Sequence, residues 1–134
     1  MEKLVMKTSY YEGQYGCICE QLPGWDASYR GKFDEFDAYV RESINFYVDS
    51  AKKYGDDYPS LLDGAYELEY DLNAAALLAK LTETFTFAGL QTITGINQKQ
   101  LAHYMSGRST PRPQQLEKIR TGVRGYITSL RNFV

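Results

Sequence analysis

The side chains with the plainest chemical purpose lie between Gly95 and Pro113, in the stretch GINQKQLAHYMSGRSTPRP. Gln98, Lys99 and Gln100 follow one another, and His103 lies four residues after Lys99. On a helix that spacing puts Lys99 and His103 on one face. Glutamine can pair with adenine through N6 and N7, and lysine can donate to guanine O6 and N7. A helix beginning at Gln98 therefore carries groups suited to base edges in a DNA major groove. Arg108 and Arg112 flank the turn after it and have the reach to hold phosphates. Asn97 and Ser109 add polar groups for the sugar-phosphate backbone at the two ends of the helix.

Such a helix needs a scaffold that aims it. Gly95 supplies a tight turn before it, and Ile96 packs inward as half of a hydrophobic staple. Asn97 caps a helix over Gln98–Met105, and Gly107 ends it. Leu101 and Tyr104 face a core shared with Leu90 and Ile93 of a preceding helix over Phe87–Thr94. A further helix runs from Ala74 to about Thr84, with Asn73 as its cap. Pro111 and Pro113 bracket the start of a last helix, whose stripe includes Leu116, Ile119, Val123, Tyr126, Ile127, Leu130 and Phe133. That stripe is longer than a compact four-helix unit requires, so its distal part is expected to pack on the first domain or on a second copy. Gly122 and Gly125 each cost this helix about 1 kcal/mol relative to alanine.

Charge divides the chain in the same place as pattern does. Residues 1–72 hold 7 Lys and Arg against 15 Asp and Glu, a net of -8. Residues 73–134 hold 8 against 2, a net of +6, and the whole chain returns -2. The second part attracts phosphates; the first repels them and attracts basic partners. The predicted organisation is two domains, 1–72 and 73–134, in 134 residues.

The first part reads as α+β. A strand runs from Lys3 to Tyr11, and Gly13 turns the chain. Tyr15, Cys17 and Cys19 then alternate with Gly16, Ile18 and Glu20, as in a half-buried strand. Leu22-Pro23-Gly24 suits a type II turn, and Trp25 to Arg30 is a third strand. From Lys32 to Lys53 the period changes: Phe33, Phe36, Val40, Ile44, Tyr47, Val48 and Ala51 make one helical stripe. Asp34, Glu35, Asp37 at its start and Lys52, Lys53 at its end complement the helix dipole. Tyr66, Leu68 and Tyr70 alternate with Glu67, Glu69 and Asp71 in a fourth strand with an acidic outer face.

Several classes of function are unexpected. No apolar run approaches a membrane span, and the N-terminus lacks a secretory-signal pattern, so a cytoplasmic protein is expected. Cys17 and Cys19 are poorly placed for a disulfide with each other, and the lone histidine is distant, so no metal or other cofactor is expected. No converging carboxylates and no activated nucleophile stand out, so catalysis is not expected.

Two resemblances, one in each predicted domain, add to this reading. Ala75 to Ile119, above all TITGINQKQLAHYMSGRSTPRP, resembles the Cro/repressor-type helix-turn-helix family. That family reads bases from the first turn of its second helix, which here holds Gln98, Lys99 and Gln100, with His103 behind. Its preceding helix is usually more polar than FTFAGLQTI. Gly13 to Val48, GQYGCICEQLPGWDASYRGKFDEFDAYVRESINFYV, is similar to the HicB-type antitoxin domain, a truncated ribonuclease-H-like fold. Arg30-Gly31-Lys32 stands where that family usually has glycine-aspartate-threonine. HicB domains are often fused to a C-terminal DNA-binding module. The resemblance implies an antitoxin that inhibits a small basic HicA-type mRNA-cleaving toxin and represses its own operon, as a homodimer or higher oligomer. Asp56, Asp57, Glu67, Glu69 and Asp71 are the candidate toxin-binding carboxylates. The same residues also accommodate an autonomous transcriptional regulator whose first domain senses a small ligand or mediates oligomerisation.

Overall fold

Alternation builds the sheet, as a computed structural model describing residues 1–134 shows. Strand β1 (Glu2–Tyr11) buries Leu4, Met6 and Thr8 and turns the residues between them outward. Glu12 and Gly13, both at positive φ, reverse the chain into β2 (Gln14–Ile18), which buries Tyr15 and Cys17. Two left-handed residues match the twist of a tight hairpin. At the next reversal Trp25 N–H donates to the Leu22 carbonyl at 3.2 Å, and Gly24 takes φ +75. That is the geometry of a type II turn. It leaves Trp25 in the turn, so β3 is Asp26–Arg30, one residue shorter than alternation predicts.

Helix α1 (Phe33–Tyr54) buries Phe33, Phe36, Val40, Ile44 and Ala51, the predicted stripe, while Tyr47 and Val48 sit half-buried at its edge. Its first turn is closed by Glu35, whose Oε1 accepts from Lys32 N–H at 2.9 Å. Lys32 has no side-chain acceptor, so only this half of a capping box can form. Gly55 ends the helix in the left-handed region, and Asp56 N–H reaches back to the Ala51 carbonyl at 2.8 Å. A single 3-10 turn, Ser60–Asp63, leads to β4 (Tyr66–Leu72).

The sheet order is β3-β2-β1-β4, with β1–β2 and β2–β3 antiparallel and β1–β4 parallel. The sheet is therefore mixed, and α1 is the connection that a parallel neighbour requires. Tyr15, Phe33, Phe36 and Tyr70 form an aromatic cluster where α1 meets the sheet, with Phe33–Tyr70 centroids 4.9 Å apart. The Tyr70 hydroxyl donates to Asp37 Oδ1, and Arg41 Nε donates to Asp37 Oδ2 at 3.1 Å, so α1 is tied to the edge strand through polar as well as apolar contact.

The chain divides into two compact units, Met1–Asn73 and Ala74–Val134. The second unit holds four helices: α2 (Ala74–Leu81), α3 (Phe87–Thr94), α4 (Gln98–Ser106) and α5 (Pro113–Leu130). Helix α2 stops three residues before the expected Thr84. The Thr82 hydroxyl donates to the Leu78 and Ala79 carbonyls, and the chain tightens into three-residue turns at Glu83 and Thr84. Leu78, Leu90, Ile96, Leu101, Tyr104 and Ile119 make the core, with Ile93 packed against it. No helix is long and apolar enough to cross a membrane. Helix α5 ends at Leu130, so Phe133 of the expected stripe lies in the turn beyond it; Ile127 is 56% and Phe133 81% exposed.

Burial alone would raise the Asp37 carboxyl, but the bonds from Tyr70 and Arg41 outweigh it and hold the group below its ordinary 3.8. On acidification the unfolded chain takes the proton first. The stabilisation is full above the ordinary aspartate range and is lost as pH falls through it towards the lowered native value. Asp37→Asn is expected to flatten the acid limb of stability below about pH 4, in urea titrations at stepped pH. An acid limb identical to that of the parent would refute this account of the Asp37 site.

Candidate functional site

The most specific geometry in the molecule is the joint between α3 and α4. Thr86 opens α3, its Oγ1 accepting from Gly89 N–H at 3.0 Å. Gly95 closes it at φ +74, with its N–H on the Gln91 carbonyl. Thr94 is buried and serves both sides of the turn: its hydroxyl donates to the Leu90 carbonyl at 2.7 Å and accepts from Ile96 N–H at 3.1 Å. Ile96 is buried beside Leu101, as the staple pattern predicts.

Both leading amides of α4 are held by side chains. Asn97 Oδ1 accepts from Lys99 N–H at 2.8 Å, and Gln91 Oε1 of α3 accepts from Gln98 N–H at 2.8 Å. The second bond ties the two helices together across Gly95. Sequence reasoning overlooked Gln91 and Thr94; the only hint was a glutamine seven positions before the first residue of the next helix. Free helix-start amides attract anions, but two of these are already occupied.

Leu101 and Tyr104 point into the core, so the opposite face of α4 carries Lys99, Ala102, His103 and Ser106. Gln98 and Lys99 are exposed, while His103 is half-buried. Gln100 lies at the edge of this face, half-buried, and its Nε2 donates to Ser109 Oγ at 3.1 Å. The structure thus joins one candidate base reader to one candidate backbone contact. Gly107 ends α4 at φ +80, and Ser109 N–H closes the turn on the His103 carbonyl at 3.3 Å. Arg108 and Arg112 stand exposed on the loop beyond it. Arg112 also borders a polar groove of about 450 Å³ with Gln100, Tyr104, Ser109 and Gln115.

The charges around this face are left free. Glu117 is bridged by Arg120 and Arg124, whereas no carboxylate pairs with Lys99, Arg108 or Arg112. Lys118 lies along the turn, its chain about a van der Waals contact from the space above Gly95. Two exposed arginines and a lysine without counter-charges are a surface that gains from a polyanion and loses counterions to it.

The five candidate carboxylates of the first unit do not form one patch. Glu67, Glu69 and Asp71 share the outer face of β4, in register with Lys3, Val5 and Lys7 of β1. Lys3 lies 3.9 Å from Glu67, and Lys7 bonds Glu20 at 2.6 Å, so bases are interleaved with these acids. Asp56 and Asp57 belong elsewhere, at the end of α1, where they border a separate groove. Burial pushes the Cys17 thiol up to about 12, helped by Cys19 and Asp26, and burial also raises Cys19. Both are free and protonated at neutral pH, the state of inert fillers rather than nucleophiles. No three His, Cys, Asp or Glu side chains gather as a metal cluster would.

Compared with known proteins, the chain matches no family model, no characterised sequence and no solved structure.

Helix α5 supports the joint from behind, and here a glycine read from sequence as a cost has a use. A Cβ on Gly122 would meet the Ile93 carbonyl oxygen and lie 2.9 Å from Thr94 Cα, so only glycine lets α3 approach this closely. Gly125 has open space at the same point. Gly122→Ala is expected to destabilise by about 1–3 kcal/mol through overpacking against backbone. Gly125→Ala is expected to stabilise by up to about 1 kcal/mol through helix propensity. Chemical denaturation of the two variants separates these signs; equal stabilisation by both would show that α3 does not press on Gly122.

Proposed function

We propose that the chain is a non-enzymatic HicB-type antitoxin: its first unit inhibits a small basic HicA-type toxin, and its second is a Cro/repressor-type helix-turn-helix domain that represses the shared operon. The observation that carries the DNA half is the braced α3–Gly95–α4 joint, which presents Lys99 and His103 on one face with unpaired Arg108 and Arg112 beside it. The element order β1-β2-β3-α1-β4, with α1 covering one side of the sheet, supports the truncated ribonuclease-H-like reading of the first unit. The division of charge, -8 against +6, supports two different partners. The exposed Ile127 of α5 and Phe133 just beyond it support self-association at this end of the chain, as a homodimer or higher oligomer.

In this reading Gln98 and Lys99 reach base edges, while Gln100 is oriented by Ser109. Arg108, Arg112 and the free amide of Asn97 hold phosphates. Lys99→Ala is expected to weaken binding to the DNA immediately upstream of the gene by about 1–3 kcal/mol, mostly on the specific site. Arg108→Ala and Arg112→Ala are expected to weaken specific and nonspecific binding alike and to lower the salt slope by about one each. Gel-shift titrations at several salt concentrations make the comparison, and unchanged affinity in all three variants would sink the DNA assignment.

The antitoxin half is tested by co-expression with the product of the adjacent gene. A small basic protein is expected to copurify with the chain and to lose its toxicity. A neighbour that is harmless alone, or that does not copurify, would refute it.

A further inference from the structure

We propose that a groove on the first unit, between the β2–β3 turn and the C-terminal half of α1, takes a basic segment of a partner polypeptide, an arginine or lysine beside an aliphatic side chain. The inference rests on the reading that this unit addresses a basic partner, and it names where.

The groove holds about 460 Å³. One wall is the turn carrying Trp25; the other is α1, where Phe46 and Tyr54 lie eight residues apart on one face. Phe46 is 73% exposed and Tyr54 72%, although both are large rings. The walls are fixed to each other. Trp25 Nε1 donates to Ser43 Oγ at 3.1 Å, and the Tyr47 hydroxyl donates to the Pro23 carbonyl at 3.1 Å. Those polar groups are spent internally, and the groove presents exposed rings beside the remaining polar side chains of its lining.

Its rim is acidic. Asp26, Asp56 and Asp57 line it, and Asp56 is held there by the hydrogen bond its backbone N–H donates to the Ala51 carbonyl past the left-handed Gly55. A cation on an aromatic ring beside a carboxylate gains from both. Lys53 already stands over the Tyr54 ring at 5.4 Å, which leaves Phe46 as the exposed ring open to an incoming cation. A neutral or acidic segment would leave the rim carboxylates uncompensated. The outer face of the sheet at β4 is the competing surface, but Lys3 and Lys7 of β1 are interleaved with its acids. The groove has both the free charge and the apolar area.

Trp25 is the only tryptophan in the chain, so its emission reports on the groove. The full chain is titrated with the hexapeptide Ac-RLRLRL-NH2 and, in parallel, with Ac-ELELEL-NH2. A saturable change with the basic peptide alone is expected. Binding is expected to fall roughly ten-fold or more in D56N/D57N and in F46A/Y54A, and to be unchanged in E67Q/E69Q/D71N. No saturable change, equal binding by the groove variants, or loss confined to the β4 variant would each overturn the proposal. So would an emission change that follows protein concentration alone and disappears in F46A/Y54A, because a second copy would then occupy the groove. The two readings fail separately. Peptide binding without a copurifying neighbour removes the toxin pairing and leaves the groove. Copurification that F46A/Y54A does not weaken removes the groove and leaves the pairing.

Discussion

β4 runs parallel to β1, so no tight turn can deliver it to the sheet. The chain must leave β3 at one edge, cross the sheet and return at the other. Helix α1 makes that crossing, and the character of the first unit follows from it. Its stripe seals the apolar side of the sheet, and Tyr70 meets Phe33, Phe36 and Asp37 where crossing and edge strand converge. The opposite side of the sheet carries mostly polar and charged residues, with Val5, Tyr11 and Ile18 among them. The C-terminal half of the helix comes to lie along the β2–β3 turn, where Trp25 and Tyr47 lock the two together.

The second unit solves a different problem, the aiming of one short helix. A nine-residue α4 has little stability of its own. Its direction is set by what holds its ends: Asn97 and Gln91 at the start, Gly107 and the Ser109 turn at the finish. Gln91 matters most because it belongs to α3, so that the two helices share a hydrogen bond as well as a core. Gly122 lets α5 close on the end of α3, which makes the joint a packed object rather than a hinge.

Charge and packing act on different scales in this chain. The separation of acids from bases along the sequence gives each unit a field of its own sign, and a field selects a class of partner without selecting a place. Places come from local geometry. On the second unit the proposed place is the outward face of α4 with the two unpaired arginines of the loop beyond it. On the first unit the acids are many, and Asp26, Asp56 and Asp57 are the ones that share a groove with the exposed Phe46 and Tyr54.

Much of the architecture was legible in the sequence because it depends on local rules. The apolar spacing from Phe33 to Ala51 marks a helix, Leu22-Pro23-Gly24 marks a turn, and Gly95 and Gly107 mark helix ends through backbone freedom that other residues lack. The candidate face of α4 was legible for the same reason, since Leu101 and Tyr104 declare which side is inward. What depends on residues far apart in the chain was not legible. The parallel partner of β1, the bond from Gln91 to α4, the pairing of Gln100 with Ser109 and the approach of Ile93 to Gly122 are long-range events. No local propensity encodes them. The five carboxylates make the same point: sequence marks them as acidic and exposed, and only the tertiary structure parts Asp56 and Asp57 from Glu67, Glu69 and Asp71, because the 3-10 turn and the parallel strand carry the chain from the helix end to the opposite side of the sheet.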